Sequence, residues 1–138
     1  MDFVTSVIFP LVVLAVAFIG MQVFVAWRMK RMEGAPAPQV GGDAGQRIAG
    51  GESALFYFYS PQCGACRTMT PVVKELAGQG PGVFAVDITQ DMDTARRFGV
   101  MATPTTVVVK QGTVSQVLVG AQSPDRLRSL VPGASAPA

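Results

Sequence analysis

From Phe3 to Trp27 the chain carries no charged residue, and beyond Trp27 the apolar positions break into short runs divided by glycine, proline and polar clusters. As a helix the first stretch is about 37 Å long, enough to cross a hydrocarbon core of about 30 Å with some tilt. Residues 3–27 therefore read as a bilayer-embedded anchor, with Pro10 near its start and Trp27 at interfacial depth. The competing reading is a cleaved signal peptide ending near Ala15-Val16-Ala17. It fits less well, because a basic leader is missing and the apolar run continues past that point.

Gly34 to Gly51 is too poor in apolar residues to build a core and predicts a flexible Gly/Ala/Pro linker of about 23 Å r.m.s. span. Pro132 to Ala138 predicts a disordered tail. Between them, 52–131 alternates strand and helix signals. Leu55 to Tyr59 and Val83 to Asp87 suit buried strands. The helix between them, about Cys63 to Ala77, closes at Gly78-Gln79-Gly80-Pro81-Gly82 and completes a right-handed βαβ unit. A short helix follows at about Asp91 to Phe98, then strands Thr105 to Val109 and Val114 to Val119 around the turn Lys110-Gln111-Gly112-Thr113. Ser123 as N-cap with Pro124 at the first helical position begins the last helix. The expected domains are thus 1–33 anchor with basic flank, 34–51 linker, 52–131 α/β domain and 132–138 tail.

Charge places the anchor. Arg28, Lys30 and Arg31 follow it at once, whereas Asp2 and the amino group of Met1 are all that precede it, so the positive-inside rule puts the C-terminal domain on the cytoplasmic face. The extracytoplasmic face is the alternative. The overall charge of +2 offers no nucleic-acid footprint. Arg96 and Arg97 read as a solvated helix face, and the seven methionines read mainly as membrane or core filling.

The chemistry lies in Cys63 and Cys66, the two cysteines of the chain, within Pro61-Gln62-Cys63-Gly64-Ala65-Cys66. Set between a strand and a helix, the first sulfur lies where unpaired N–H groups and the helix dipole stabilise a thiolate, the nucleophile of disulfide exchange. Within one chain a structural zinc site is improbable without histidine or a third cysteine, so no metal is expected. A dimer pooling four sulfurs around a metal or cluster, or a purely structural bridge, are the other readings; the latter would close too small a loop to stabilise much.

The ordered set of features resembles the thioredoxin family over roughly Ser53 to Val131. The features are the aromatic strand before Cys-x-x-Cys, Pro71 five residues after Cys66, Phe98-Gly99-Val100 leading to Ala102-Thr103-Pro104, a hairpin with Gly112, and Gly120 before the last helix. The resemblance implies a thioredoxin-like fold, a mixed sheet with flanking helices and a trimmed N-terminal part. At most a residual helical turn is expected at Gln46-Arg47-Ile48-Ala49. It further implies that Cys63 attacks a substrate disulfide and Cys66 resolves the mixed disulfide. Cys63 would be the more exposed and more acidic thiol. Thr103-Pro104 would hold a cis bond beside the sulfurs, with Thr103 pairing to an extended substrate; a trans proline opening the next strand is the alternative. No organic cofactor is implied, and the partners are protein disulfides with a possible upstream reductase.

Departures from the family pattern point to specialisation. Tyr57 replaces a frequent buried Asp, and Ala85 a frequent Lys, so Cys66 lacks the usual proton acceptor. Gly64-Ala65 replaces Gly-Pro, and Gln62 stands where a Trp often does. Three functions are compatible with these residues: a membrane-tethered thiol–disulfide oxidoreductase, a non-catalytic binding module, and a dedicated electron donor to one membrane or metal-centre assembly partner.

Overall fold

The computed structural model describes residues 2–133. The elements are α1 (Asp2–Lys30), α2 (Gly42–Ala49), β1 (Ala54–Tyr59), α3 (Cys66–Gln79), β2 (Val83–Asp87), α4 (Met92–Arg97), β3 (Thr105–Lys110), β4 (Thr113–Val119) and α5 (Pro124–Leu130). The strands form one sheet in the order β2-β1-β3-β4, with β1 and β2 parallel and the other neighbours antiparallel. Alternation along β1 feeds both faces. Phe56 and Phe58 enter one core with Phe98, Val107, Val109 and Val117, while Leu55 and Tyr57 enter the other with Met69, Val73, Val108 and Leu127.

Local chemistry accounts for most element ends. Asp91 caps α4 through the Thr94 N–H at 3.1 Å, and Ser123 caps α5 through the Arg126 N–H at 3.2 Å. The β3–β4 turn holds Gln111 and Gly112 at φ 52° and 72°, the double positive φ of a type I′ hairpin. Helix α3 runs unbroken through Pro71, and α1 through Pro10.

Three sequence expectations need correction. Gly34 to Gly51 is not a free linker. The Gly34 N–H donates to the Val114 carbonyl at 2.7 Å, the Val114 N–H to the Ala35 carbonyl at 2.9 Å, and the Ala37 N–H to the Gly112 carbonyl at 2.8 Å, so this segment covers the outer edge of β4. The few apolar residues it has are spaced to act together: Val40, Ala44 and Ile48 lie four apart and pack on the Phe56 core. The helical remnant expected at Gln46 to Ala49 is accordingly the eight-residue α2.

The boundary at residue 52 also moves. Met29, assigned to the anchor's flank, is 1% exposed inside the Phe56 core, and the Val117 N–H donates to Glu33 Oε1 at 2.9 Å. Helix α3 begins at Cys66, three residues later than expected: the Cys63 N–H on the Ser60 carbonyl at 3.1 Å closes a turn over Pro61 and Gln62, and Ala65 is the N-cap. Of the tail 132–138, Pro132 and Gly133 form a turn and the remainder lies outside the described residues.

Helix α1 is long and apolar enough to cross a membrane, and its most apolar stretch is wholly exposed. Arg31 stacks on Trp27 at 3.7 Å from the ring centroid, just past the C-terminal end of this apolar stretch.

Candidate functional site

Strand β1 ends at Tyr59, and the chain turns over Ser60-Pro61-Gln62 to deliver Cys63 in front of α3. Cys63 and Cys66 form a disulfide with Cα atoms 5.3 Å apart. The two sulfurs are not equivalent. Cys63 is half-buried, whereas Cys66, already in the first helical turn, is 2% exposed. Ala65 at the N-cap has no side-chain acceptor to offer, and the Cys66 N–H instead donates to Cys63 Sγ at 3.2 Å. The sulfur thereby occupies the place of a capping oxygen, where negative charge is stabilised by an otherwise unpaired helix donor. That contact would strengthen once the sulfur is a thiolate.

Behind the pair lies a hydroxyl network. Tyr57 is fully buried, and its hydroxyl donates to the Cys66 carbonyl at 3.3 Å and sits 3.1 Å from Thr70 Oγ1, which itself donates to the same carbonyl at 2.8 Å. Burial pushes the Tyr57 phenol above its ordinary value of 10.0; the Thr70 bond opposes this and Tyr59 adds to it. At neutral pH Tyr57 is a proton donor and no base.

The second expected element is present at the same end of the sheet. Thr103-Pro104 is a cis peptide bond, Pro104 is buried, and Thr105 pairs with Phe58 next to Tyr59. The Thr105 hydroxyl donates to the Ala102 carbonyl at 2.6 Å and the Gly120 N–H to the Pro104 carbonyl at 2.9 Å, holding the loop against β4. The Thr103 backbone makes no hydrogen bond to other backbone groups among the described residues.

A shallow groove of about 450 Å³ opens beside the disulfide, lined among others by Tyr59, Cys63, Arg67, Thr70 and Lys74. Sequence reasoning missed Arg67, Thr70 and Lys74 as neighbours of the site. The available signal was spacing: Cys66, Thr70 and Lys74 stand four apart and share one helix face.

The family profile described as "Thioredoxin" matches residues 45–132. Thioredoxin of Bacillus subtilis is 35% identical over 77 residues, covering 54% of this chain and 74% of that relative. Among solved structures, a thioredoxin variant from Halobacterium salinarum is 31% identical with a TM-score of 0.54, covering 62% of this chain and 77% of its own. The thioredoxin of Malassezia sympodialis is 30% identical with a TM-score of 0.52, covering 61% of this chain and 78% of its own.

Proposed function

The chain belongs to the thioredoxin family and is a thiol–disulfide oxidoreductase, and from that footing we propose that it works tethered to a membrane by α1, exchanging protein disulfides through Cys63 and Cys66. The observation that carries the assignment of roles is the asymmetry of the pair: a half-buried Cys63 sulfur on the helix N-terminus and a buried Cys66 behind it. In the reducing direction the Cys63 thiolate attacks one sulfur of the substrate disulfide. A mixed disulfide forms, and the substrate's other sulfur leaves as a thiolate and takes up a proton. The Cys66 thiolate then attacks Cys63 Sγ. This closes the Cys63–Cys66 bond and expels the second substrate thiolate, so two electrons pass from the dithiol to the substrate. An upstream reductase restores the dithiol.

Thr103 and Pro104 bind the substrate chain, the free backbone of Thr103 pairing with it as an added strand. The basic run Arg28, Lys30 and Arg31 supports a cytoplasmic domain, where the thiol pool favours the reducing direction. Protease protection in intact and permeabilised cells tests the sidedness: digestion of the domain in intact cells would overturn it.

Substitution tests the catalytic reading. Cys63→Ser is expected to abolish disulfide reduction, and Cys66→Ser to accumulate a mixed disulfide at Cys63. On the reduced protein, limiting iodoacetamide is expected to alkylate Cys63 before Cys66. Retained reductase activity in Cys63→Ser would overturn Cys63 as the nucleophile, and retained cellular function in a Cys63→Ser chain without reductase activity would favour a non-catalytic binding module. Trapping of many unrelated proteins by Cys66→Ser would count against a dedicated client.

A further inference from the structure

We propose that the domain is clamped to its anchor with the dithiol turned toward the bilayer, so that its substrate is a disulfide of a membrane-embedded protein near headgroup level. This rests on the reading of α1 as a membrane span. Three observations carry it.

The first is the absence of a spacer. The uncharged stretch ends at Trp27, and Met29, about 3 Å further along the helix axis, is already inside the domain core. Val25 packs on that core from within the span itself. The domain therefore starts where the hydrocarbon stops.

The second is the direction of approach. Cys63 follows the end of β1, and Pro104 precedes the start of β3, so the site lies at the end of the sheet where Thr105 pairs with both Phe58 and Val119. After α1 the chain passes Val117 through Glu33, Val114 through Gly34 and Thr113 through Pro36. It thus descends β4 away from the site. The helix that feeds this descent joins the domain from the site's end, with Met32 seated on Gly99 in the segment leading to Pro104. A Cβ at Gly99 would stand 2.8 Å from the Met32 sulfur.

The third is the surface. Outside α1, the exposed large apolar side chains among the described residues are Met92, Met101 and Val119, at 45%, 50% and 39%. All three belong to the site's end: Met92 follows the turn that closes β2, Met101 precedes Pro104 by three residues, and Val119 pairs with Thr105. The exposed apolar surface outside α1 thus lies at the end from which the anchor leaves, where a membrane-proximal partner would meet it.

The test uses the full chain in phosphatidylcholine–phosphatidylglycerol vesicles containing a headgroup-attached quencher. A fluorophore is placed on Cys63 in Cys66→Ser, or at the opposite end of the sheet on Lys110→Cys in a chain also carrying Cys63→Ser and Cys66→Ser. Strand length separates the two ends by about 17 Å, and several-fold stronger quenching is expected at Cys63. Inserting about twelve Gly/Ser residues between Trp27 and Arg28, a coil of about 20 Å reach, should erase that difference. The same insertion should slow reduction of a disulfide at headgroup level on a transmembrane peptide by about tenfold through lost effective concentration. Reduction of a small soluble aromatic disulfide should be unchanged. A chain that floats with the vesicles but is quenched equally at both ends, or whose peptide reduction survives the insertion, overturns the orientation and leaves the oxidoreductase reading standing. A chain that does not float overturns the anchor and the orientation together.

Discussion

Tyr57 concentrates what is unusual about the site. Its hydroxyl is spent on the Cys66 carbonyl and Thr70, and its burial favours the neutral phenol, so it serves the fold around Cys66 without offering a base. Tyr57→Phe should cost about 1 kcal/mol of stability, the usual worth of a buried hydrogen bond, and leave the exchange rate nearly unchanged, since Thr70 still binds the same carbonyl. Tyr57→Asp should add an inflection to the pH–rate profile of disulfide reduction, because it restores a titrating carboxyl group behind the second sulfur. An unaltered profile would count against the reading that Cys66 lacks a proton acceptor. The raised phenol also has a linkage consequence: the folded state holds this proton more tightly, so its contribution is complete below pH 10 and is lost as pH rises through the folded value. Denaturant titrations above pH 10 should therefore show a loss of stability that Tyr57→Phe lacks. The pairing of Cys63 with Cys66 was legible from their spacing, whereas Thr70 and Lys74 became neighbours of the sulfurs only once the helix face was turned toward the groove.

The secondary-structure elements owe their limits to short-range chemistry, and there sequence reading succeeded best. The strand cores, the hairpin turn and the α5 cap all follow from apolar runs, positive-φ residues and capping side chains. For α4, hydrogen bonds from the Thr94 side chain and backbone N–H lower the Asp91 carboxyl below its ordinary 3.8. Asp91→Ala should cost about 1 kcal/mol at pH 7. The sign of the shift sets the window: the folded state favours the carboxylate, so the cap contributes fully above about pH 4 and fades as pH falls through the folded value. Thermal unfolding of the two proteins should converge in acid. Helix α2 was read too weakly because Gly42, Gly45 and Asp43 are poor helix formers; its stability comes from Ala44 and Ile48 packing on the sheet.

For the molecule as a whole, the consequential finding is that the C-terminal end of α1, the connecting segment and the domain are one packed body. Met29→Ala should destabilise the domain by about 2 to 5 kcal/mol, as expected for a truncated core methionine, although the residue reads from sequence as part of a basic membrane flank. Truncation separates the two views more sharply. A chain starting at Arg28 keeps Met29, the cover over β4 and α2, and should unfold near the temperature of the full domain. One starting at Glu52 loses all three and should unfold well below it or fail to fold. Equal unfolding temperatures would restore the flexible tether.

Hydrophobic periodicity, the Cys-x-x-Cys spacing and the charge-free stretch specify the α/β order, the exchange chemistry and a helix fit for a bilayer, because each depends on residues close together in the chain. The covering of β4 by Gly34 to Ala37, the burial of Met29 in the core that holds Phe98, and the seating of Met32 on Gly99 depend on contacts between residues about 70 to 80 positions apart. No local pattern encodes those contacts. A glycine- and alanine-rich segment looks like a linker until a strand edge with unpaired hydrogen-bonding groups lies beside it.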